Sequence, residues 1–285
     1  LERVQVTDTR DVADLIQRGD TVAVDAALVS IGSSDLLPEF RGFVTQIITE
    51  DDRVTVLCED QMWQLKQKHV EVNLTGAALP DLIALLHDGP AEVEPIRLGD
   101  FRAESQNVSA AKILEVIRER FGVRSFFRLG TDGVQTLIAG GEYSTRRRAL
   151  IKMWLHVPES GNNLEPRRAS QTKVRVDAQN VSLDGTVEED SFGDVDADPV
   201  DVIQRSYVET PDWQKLAKKV VSEHKFDGFT GSFVAHPTAR IQQGEIVELQ
   251  DPRFPERDGA YFVRSVQTTI DTSDFIRQIE LGRRV

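Results

Sequence analysis

One pattern of turn and strand occurs twice in this chain, near its beginning and near its end, and it constrains the fold more than any other feature. Arg18-Gly19-Asp20-Thr21-Val22-Ala23-Val24 is matched by Gln243-Gly244-Glu245-Ile246-Val247-Glu248-Leu249. In each copy a glycine and a carboxylate form a turn that feeds a strand. The order then continues: Gly42-Phe43-Val44-Thr45-Gln46-Ile47 corresponds to Ala260-Tyr261-Phe262-Val263-Arg264-Ser265-Val266, and residues 54–58 correspond to 275–281. A turn, a strand, a loop and two paired strands close a small antiparallel barrel economically, because closure removes the edges at which sheets aggregate. Duplication of one barrel is the reading favoured here. Generic β-hairpins that match over three short segments are the alternative.

Between the copies the hydrophobic period changes from two to 3.6. Leu79–Leu86 is a short apolar helix opened by Pro80-Asp81 and stopped by Gly89-Pro90. A stronger helix spans Ala110–Phe121, with Ser109 as cap, Ala110, Ile113, Leu114, Ile117 and Phe121 on one face, and Gly122 at its end. Residues 123–128 and 134–138 follow as strands joined by Gly130-Thr131-Asp132-Gly133, which makes a small α/β unit. A third helix, 211–224, opens with Thr210 as cap and Pro211 at its first position, and places Trp213, Leu216, Ala217, Val220 and Val221 down one side. Residues 184–201 carry eight acidic side chains and no Lys or Arg, with Gly185, Gly193 and Pro199 as breakers, and read as an exposed loop. The expected fold class is α+β and β-rich: a first β-barrel domain over 1–75, an α/β insert over 76–148, and a second β-barrel domain over 149–285 that includes the acidic loop.

Charge and hydropathy narrow the partners. A net charge of −13 repels a phosphate backbone, so no specific nucleic-acid binding is expected. No apolar run approaches the roughly 20 residues that cross a bilayer, so no membrane partner is expected either. No signal peptide stands at Leu1, a start without Met that fits a trimmed sequence.

Residues able to carry chemistry are scattered. His69, His87, His156, His224 and His236 stand singly, without the paired spacing of a zinc site. Gly140-Gly141 has neither the lysine nor the spacing of a phosphate-cradling loop. Cys58, the single cysteine, belongs to the run Val54-Thr55-Val56-Leu57-Cys58 and reads as a buried strand residue. Glu59 and Asp60 are the carboxylates that a glycosidase pair would use, yet neighbours on a strand face opposite ways, and capping of the next segment is the favoured role. Asp194, Asp196 and Asp198 alternate as in a calcium loop but lack its glycine and closing glutamate, so a solvated loop is expected. Arg146, Arg147, Arg148, Arg167 and Arg168 suit acidic surfaces of a neighbouring subunit or plain solvent. Trp154, Trp213, Phe254 and Tyr261 are expected as core or interface anchors. No catalytic, cofactor-binding or metal-binding residue is assigned.

Two stretches resemble a known family. Phe40-Arg41-Gly42-Phe43-Val44-Thr45-Gln46-Ile47, followed by 54–66, resembles the first barrel of phage baseplate hub proteins, a family that includes late control protein D. Asp227-Gly228-Phe229-Thr230-Gly231-Ser232-Phe233, then Pro237, residues 244–252, Gly259-Ala260-Tyr261-Phe262-Val263 and Arg277-Gln278-Ile279-Glu280-Leu281 resemble its second barrel. The resemblance implies a homotrimer whose two barrels per chain build a pseudo-sixfold ring, with a sixfold tail tube, other baseplate proteins and a separate central spike as partners. It implies a location in the virion tail baseplate after assembly in the host bacterial cytoplasm, and no enzymatic activity. It also extends to spike proteins of type VI secretion, but the chain closes at Val285 with no room expected for a needle. The alternatives are a hub-associated peptidoglycan-cleaving enzyme, the hub of a tailocin or type VI-like injection system, and a carbohydrate-binding module, for which Trp63 and Trp154 are the available nuclei.

Overall fold

A computed structural model describes residues 15–26, 36–50, 53–103, 108–140, 147–158, 161–182, 184–208, 210–236, 240–270 and 275–285. The chain start, Gly141 and Arg146 lie outside the described residues.

β1 (Thr21–Ala26), β2 (Leu37–Glu50) and β3 (Arg53–Glu59) form an antiparallel sheet in that order. A short helix α1 (Met62–Gln67) leads to β4 (Val72–Ala78), helix α2 (Leu79–Leu86), β5 (Ala91–Val93) and β6 (Arg97–Ala103), where β4 pairs with β6. Helix α3 (Ala110–Phe121) precedes the hairpin of β7 (Arg124–Leu129) and β8 (Gln135–Gly140), and β5 joins β8 in parallel, a pairing that no local sequence signal announces. β9 (Arg148–Lys152) and a single helical turn α4 (Met153–His156) open the last part, followed by β10 (Asn162–Arg167), β11 (Arg175–Val181), β12 (Val187–Gly193), β13 (Val202–Val208) and helix α5 (Trp213–His224). β14 (Gly228–Ala235), β15 (Ile246–Gln250), β16 (Gly259–Ile270) and β17 (Phe275–Arg284) complete a six-stranded sheet of order β10-β14-β17-β16-β15-β9. The fold is α+β and β-rich as expected. Neither the three-stranded nor the six-stranded sheet closes into a barrel among the described residues, because β10 and β9 end the larger ladder without pairing with each other.

The repeat is present down to individual hydrogen bonds. In the first copy the N–H of Gly19 donates to the carbonyl of Val44 at 2.8 Å, and the N–H of Val44 returns to that of Asp20 at 2.9 Å. In the second, Gly244 donates to Val263 at 2.9 Å and Val263 returns to Glu245 at 2.8 Å. Both glycines occupy positive φ, 94° and 81°, where a side chain is strained. The following carboxylate closes each turn: Asp20 accepts from the N–H of Gln17 at 2.8 Å and Glu245 from that of Gln242 at 3.0 Å. One residue past the anchored valine each long strand bulges, since the pairing steps from Val44 to Gln46 and from Val263 to Ser265. This places Cys58, opposite Val44, where Leu281 stands opposite Val263, and it aligns Gly42 with Tyr261 rather than Ala260. A half-buried Cys58 whose thiol burial pushes up fills a strand position, as the sequence suggests.

The helices follow their local chemistry. Ser109 Oγ accepts from the N–H of Lys112 at 3.2 Å, Gly122 ends α3 in the left-handed region, and the five apolar residues named above are buried. α2 buries Leu79, Leu82, Ile83 and Leu86, with Asp81 accepting from the N–H of Ala78 at its start. α5 begins two residues later than expected: Thr210 is fully buried, and its carbonyl accepts from the N–H of Trp213 across a Pro211-Asp212 turn.

One expectation about the last domain is corrected. Seven residues of the acidic loop form a strand: Gly185, with φ 87°, turns the chain after β11, and Asp184 Oδ1 holds the N–H of Thr186 at 2.8 Å, so β12 runs back along β11 as a hairpin. Of its breakers, Gly185 makes the hairpin turn and Gly193 ends β12, roles that composition alone does not distinguish from those of loop residues. The packing joins segments that are distant in the sequence. One core joins Leu65, α2, α3 and β8 to Val176, Ala178, Tyr207, Trp213, Leu216 and Val220, while a second core holds Ile151, Phe229, Phe233, Val247, Tyr261, Val263 and Ile279. The layer β12-β11-β13 with α5 therefore belongs to the core of the insert and not to that of the six-stranded sheet: α5 packs on β11 and β12, and α3 packs on β13. Burial pushes the Tyr207 hydroxyl up to about 12 in that core.

Candidate interaction surfaces

The two copies of the repeat meet at the tip of the β7–β8 hairpin, and polar side chains make the joint. Gln242, the residue that Glu245 anchors, donates from Nε2 to the carbonyl of Leu129 at 2.8 Å and accepts the N–H of Leu129 at 3.1 Å. Gln135, buried on β8, donates to the carbonyl of Arg41 at 2.7 Å and accepts the N–H of Gln61 at 3.1 Å. Arg240 spans all three parts, donating to the carbonyls of Pro38 at 2.7 Å and Leu129 at 3.0 Å. The guanidinium of Arg277 meets Glu39 at 2.7 Å, with side chains only 4% and 12% exposed. The sequence reading assigned no role to these five residues. A signal existed for two: Arg277 shares the strand parity of buried Ile279 and Leu281, and Gln242 precedes Gly244 as Gln17 precedes Gly19.

Beside this joint runs a groove of about 690 Å³, lined by Met62 and Lys66 of α1, by Lys112, Leu114, Glu115 and Arg118 of α3, by Arg124 and Ser125 of β7, and by Gln243 and Arg264 of the second repeat. Arg264 is the extra residue at the second bulge, so the bulge aims a cation at the groove. Five cationic side chains line it against the single carboxylate Glu115, in a chain of net charge −13.

The residues singled out for chemistry serve structure. Glu59 pairs with Lys66 at 2.6 Å, while Asp60 accepts the N–H of Met62 at 2.9 Å and opens α1, its carboxyl pushed up by burial. Asp194 holds Lys225 at 2.6 Å and Asp196 pairs with Lys173, so both bind the acidic segment back to the chain. No group of three or more His, Cys, Asp or Glu able to hold a metal occurs among the described residues. Arg148 pairs with Glu248 at 2.7 Å and Arg147 with Glu245 at 3.5 Å, and Arg167 donates twice to the carbonyl of His224. Arg147, Arg148 and Arg167 are thus engaged within their own chain. Trp213 is buried, donates to Glu188 at 3.3 Å and meets Phe192 edge to face, and Tyr261 is buried on β16. Trp63 is half-buried and stacks one face of its indole on Phe43 at 5.2 Å, so that face packs within the chain.

Neither a family model nor a curated protein matches the sequence. Solved structures do. A tail protein from Neisseria meningitidis MC58 aligns with TM-score 0.60 at 16% identity, over 87% of this chain and 80% of its own. The 43 kDa tail protein of prophage MuSo2 from Shewanella oneidensis gives 0.56 at 10% identity, over 87% and 78%. The fold is that of phage tail proteins. The E. coli c3393 protein, a type VI secretion component described as similar to the T4 tail proteins gp27 and gp5, gives 0.53 at 9% identity, over 92% of this chain and 65% of that one.

In this tail-protein fold two further surfaces stand out. Leu150 on β9, with Trp154 and Leu155 on α4, forms an apolar margin of the six-stranded sheet, Leu155 being 62% exposed. β12 is an edge strand with Glu188, Glu189 and Asp190 exposed, and beyond it Val195 and Val200 are 89% and 88% exposed.

Proposed function

We propose that this protein is the structural, non-enzymatic hub of a contractile tail baseplate, in a phage or a phage-like injection particle. Three copies form a pseudo-sixfold ring that joins a sixfold tail tube to a threefold central spike. The observation that carries this reading is the duplicated turn-and-bulge unit, with the same three hydrogen bonds in each copy, inside a fold shared with phage tail proteins. A chain that carries one module twice presents six near-equivalent surfaces as a trimer, which is what a sixfold-to-threefold adaptor requires. The insert and the β12-β11-β13 layer occur once per chain and supply the threefold features. The domain division that fits the packing is a first repeat up to about α1, a shared α/β body that includes 174–221, and a second repeat built on the six-stranded sheet. The protein resides in the assembled tail, built in the bacterial host.

Native mass spectrometry and negative-stain imaging of the purified chain at high concentration test this reading, with a toroidal trimer as the expected result. A stable monomer under those conditions overturns it. The engagement of Glu59 and Asp60 in an ion pair and a cap counts against that pair as the carboxylates of the peptidoglycan-cleaving alternative, and release of fragments from purified cell wall would favour that alternative.

A further inference from the structure

The geometry points to the basic groove as the seat of the acidic edge strand β12 of a neighbouring copy, in a head-to-tail contact that repeats around the ring. This inference rests on the ring reading and names the surfaces that build it. Charge complementarity identifies the occupant. The groove presents Lys66, Lys112, Arg118, Arg124 and Arg264, whereas 184–201 of the same chain carries eight carboxylates and no cation. Lys66, Lys112 and Arg264 already hold Glu59, Glu115 and Glu280, but these partners are all 38–42% exposed. Such exposed pairs contribute about 0–1 kcal/mol each and exchange readily for an incoming carboxylate.

β12 has the form of an inserted element. Its inner edge pairs with β11, its outer edge has no strand partner among the described residues, and its burial pattern is exposed along nearly the whole length. Charges on such an edge keep copies apart until a surface of opposite sign covers them. Val195 and Val200 beside it are apolar side chains left almost wholly in water, which marks a surface that a partner covers.

Topology makes the contact heterologous. α3, which forms the groove wall, packs near β13, while β12 lies at the opposite margin of that layer with β11 between them. One copy therefore presents donor and acceptor at different margins, the arrangement that generates a ring rather than a twofold dimer.

Three variants test this: Lys112→Glu with Arg118→Glu in the groove, Glu189→Lys with Asp190→Lys on the strand, and all four together. All positions are exposed, so circular dichroism, and the melting temperature at concentrations where the wild type is also monomeric, should stay at wild-type values. Each two-residue variant is expected to weaken trimer formation at least 30-fold by mass photometry, and the four-residue variant to restore most of it. A wild-type trimer that either two-residue variant leaves intact overturns the inference and leaves the ring reading standing. Loss in both without recovery in the combined variant also overturns it. A wild-type chain that stays monomeric removes the ring reading itself, and this contact with it.

Discussion

Replacing Arg277 by Met isolates the joint between the two repeats. The guanidinium and the Glu39 carboxylate are 2.7 Å apart and nearly sealed from water. At an effective dielectric near 20, Coulomb's law gives about 6 kcal/mol of attraction at that distance, most of it offset by the desolvation of both ions. The variant keeps the bulk of the side chain but leaves the Glu39 carboxylate with only the more distant Arg240 as a charge partner, so the cost approaches the about 3–5 kcal/mol of a broken buried pair. For a chain of 285 residues, with an unfolding entropy of about 0.6 kcal/mol/K, that corresponds to a fall in Tm of about 5–8 °C by scanning calorimetry. Adding Glu39→Leu removes the stranded charge and should recover more than half of the loss, because an apolar pair of similar volume is nearly neutral in such sites. A drop of less than about 2 °C for Arg277→Met, or a double variant no more stable than the single one, refutes the reasoning that this ion pair holds the repeats together.

The repeat itself predicts matched responses: Gly19→Ala and Gly244→Ala each force a side chain to positive φ and should each cost about 1–2 kcal/mol in denaturant unfolding, whereas a large cost at one and none at the other would mean the two turns are not equivalent. Ile117→Ala on α3, at 1% exposure or less, should cost about 2–4 kcal/mol and loosen α5 as well, since both helices share one core, which amide exchange on α5 would report. Acid should open the β11–β12 hairpin first. Its carboxylates are held below their ordinary 3.8, Asp177 by the Ser191 hydroxyl and then Arg175, Asp184 by the Thr186 N–H, Asp194 by Lys225 and Asp196 by Lys173. Depressed values contribute stability that is present above the unfolded pKa and lost as pH falls through the folded ones, so exchange protection of this hairpin should drop as pH falls below about 4 while that of β16–β17 persists.

What the sequence disclosed depended on whether the signal was local. α3 declares itself in full, since cap, apolar face and terminating glycine lie within fourteen consecutive residues, 109–122. The repeat was visible because Gly19-Asp20 and Gly244-Glu245 answer the same backbone need, a positive φ followed by a carboxylate that closes the turn. β12 was misread because its side chains face water on both sides, leaving no period-two signal, and only its pairing with β11 defines it. The joint was illegible for a different reason. Its bonds connect residues 74 to 238 positions apart, and glutamines that mimic a strand's hydrogen bonds carry no pattern of their own.

The two repeats differ most where they should if the chain serves an adaptor. Turn, valine anchor and bulge, which set the local shape, are common to both. The residue inserted at the bulge is not: Thr45 bonds back to the carbonyl of Leu57 at 3.0 Å, whereas Arg264 reaches toward Glu280 and the groove. The residue two before the anchor differs too. A Cβ on Gly42 would lie 2.1 Å from the Glu59 carbonyl oxygen, so the backbone approaches there as the bulky Tyr261 does not allow in the second copy. Shape is thus repeated while surface chemistry is not. A trimer of such chains, as proposed above, would offer a tube six similar contours while the groove at Arg264 would belong to the second copy of the module, so ring closure and tube contact would draw on separate parts of the same module.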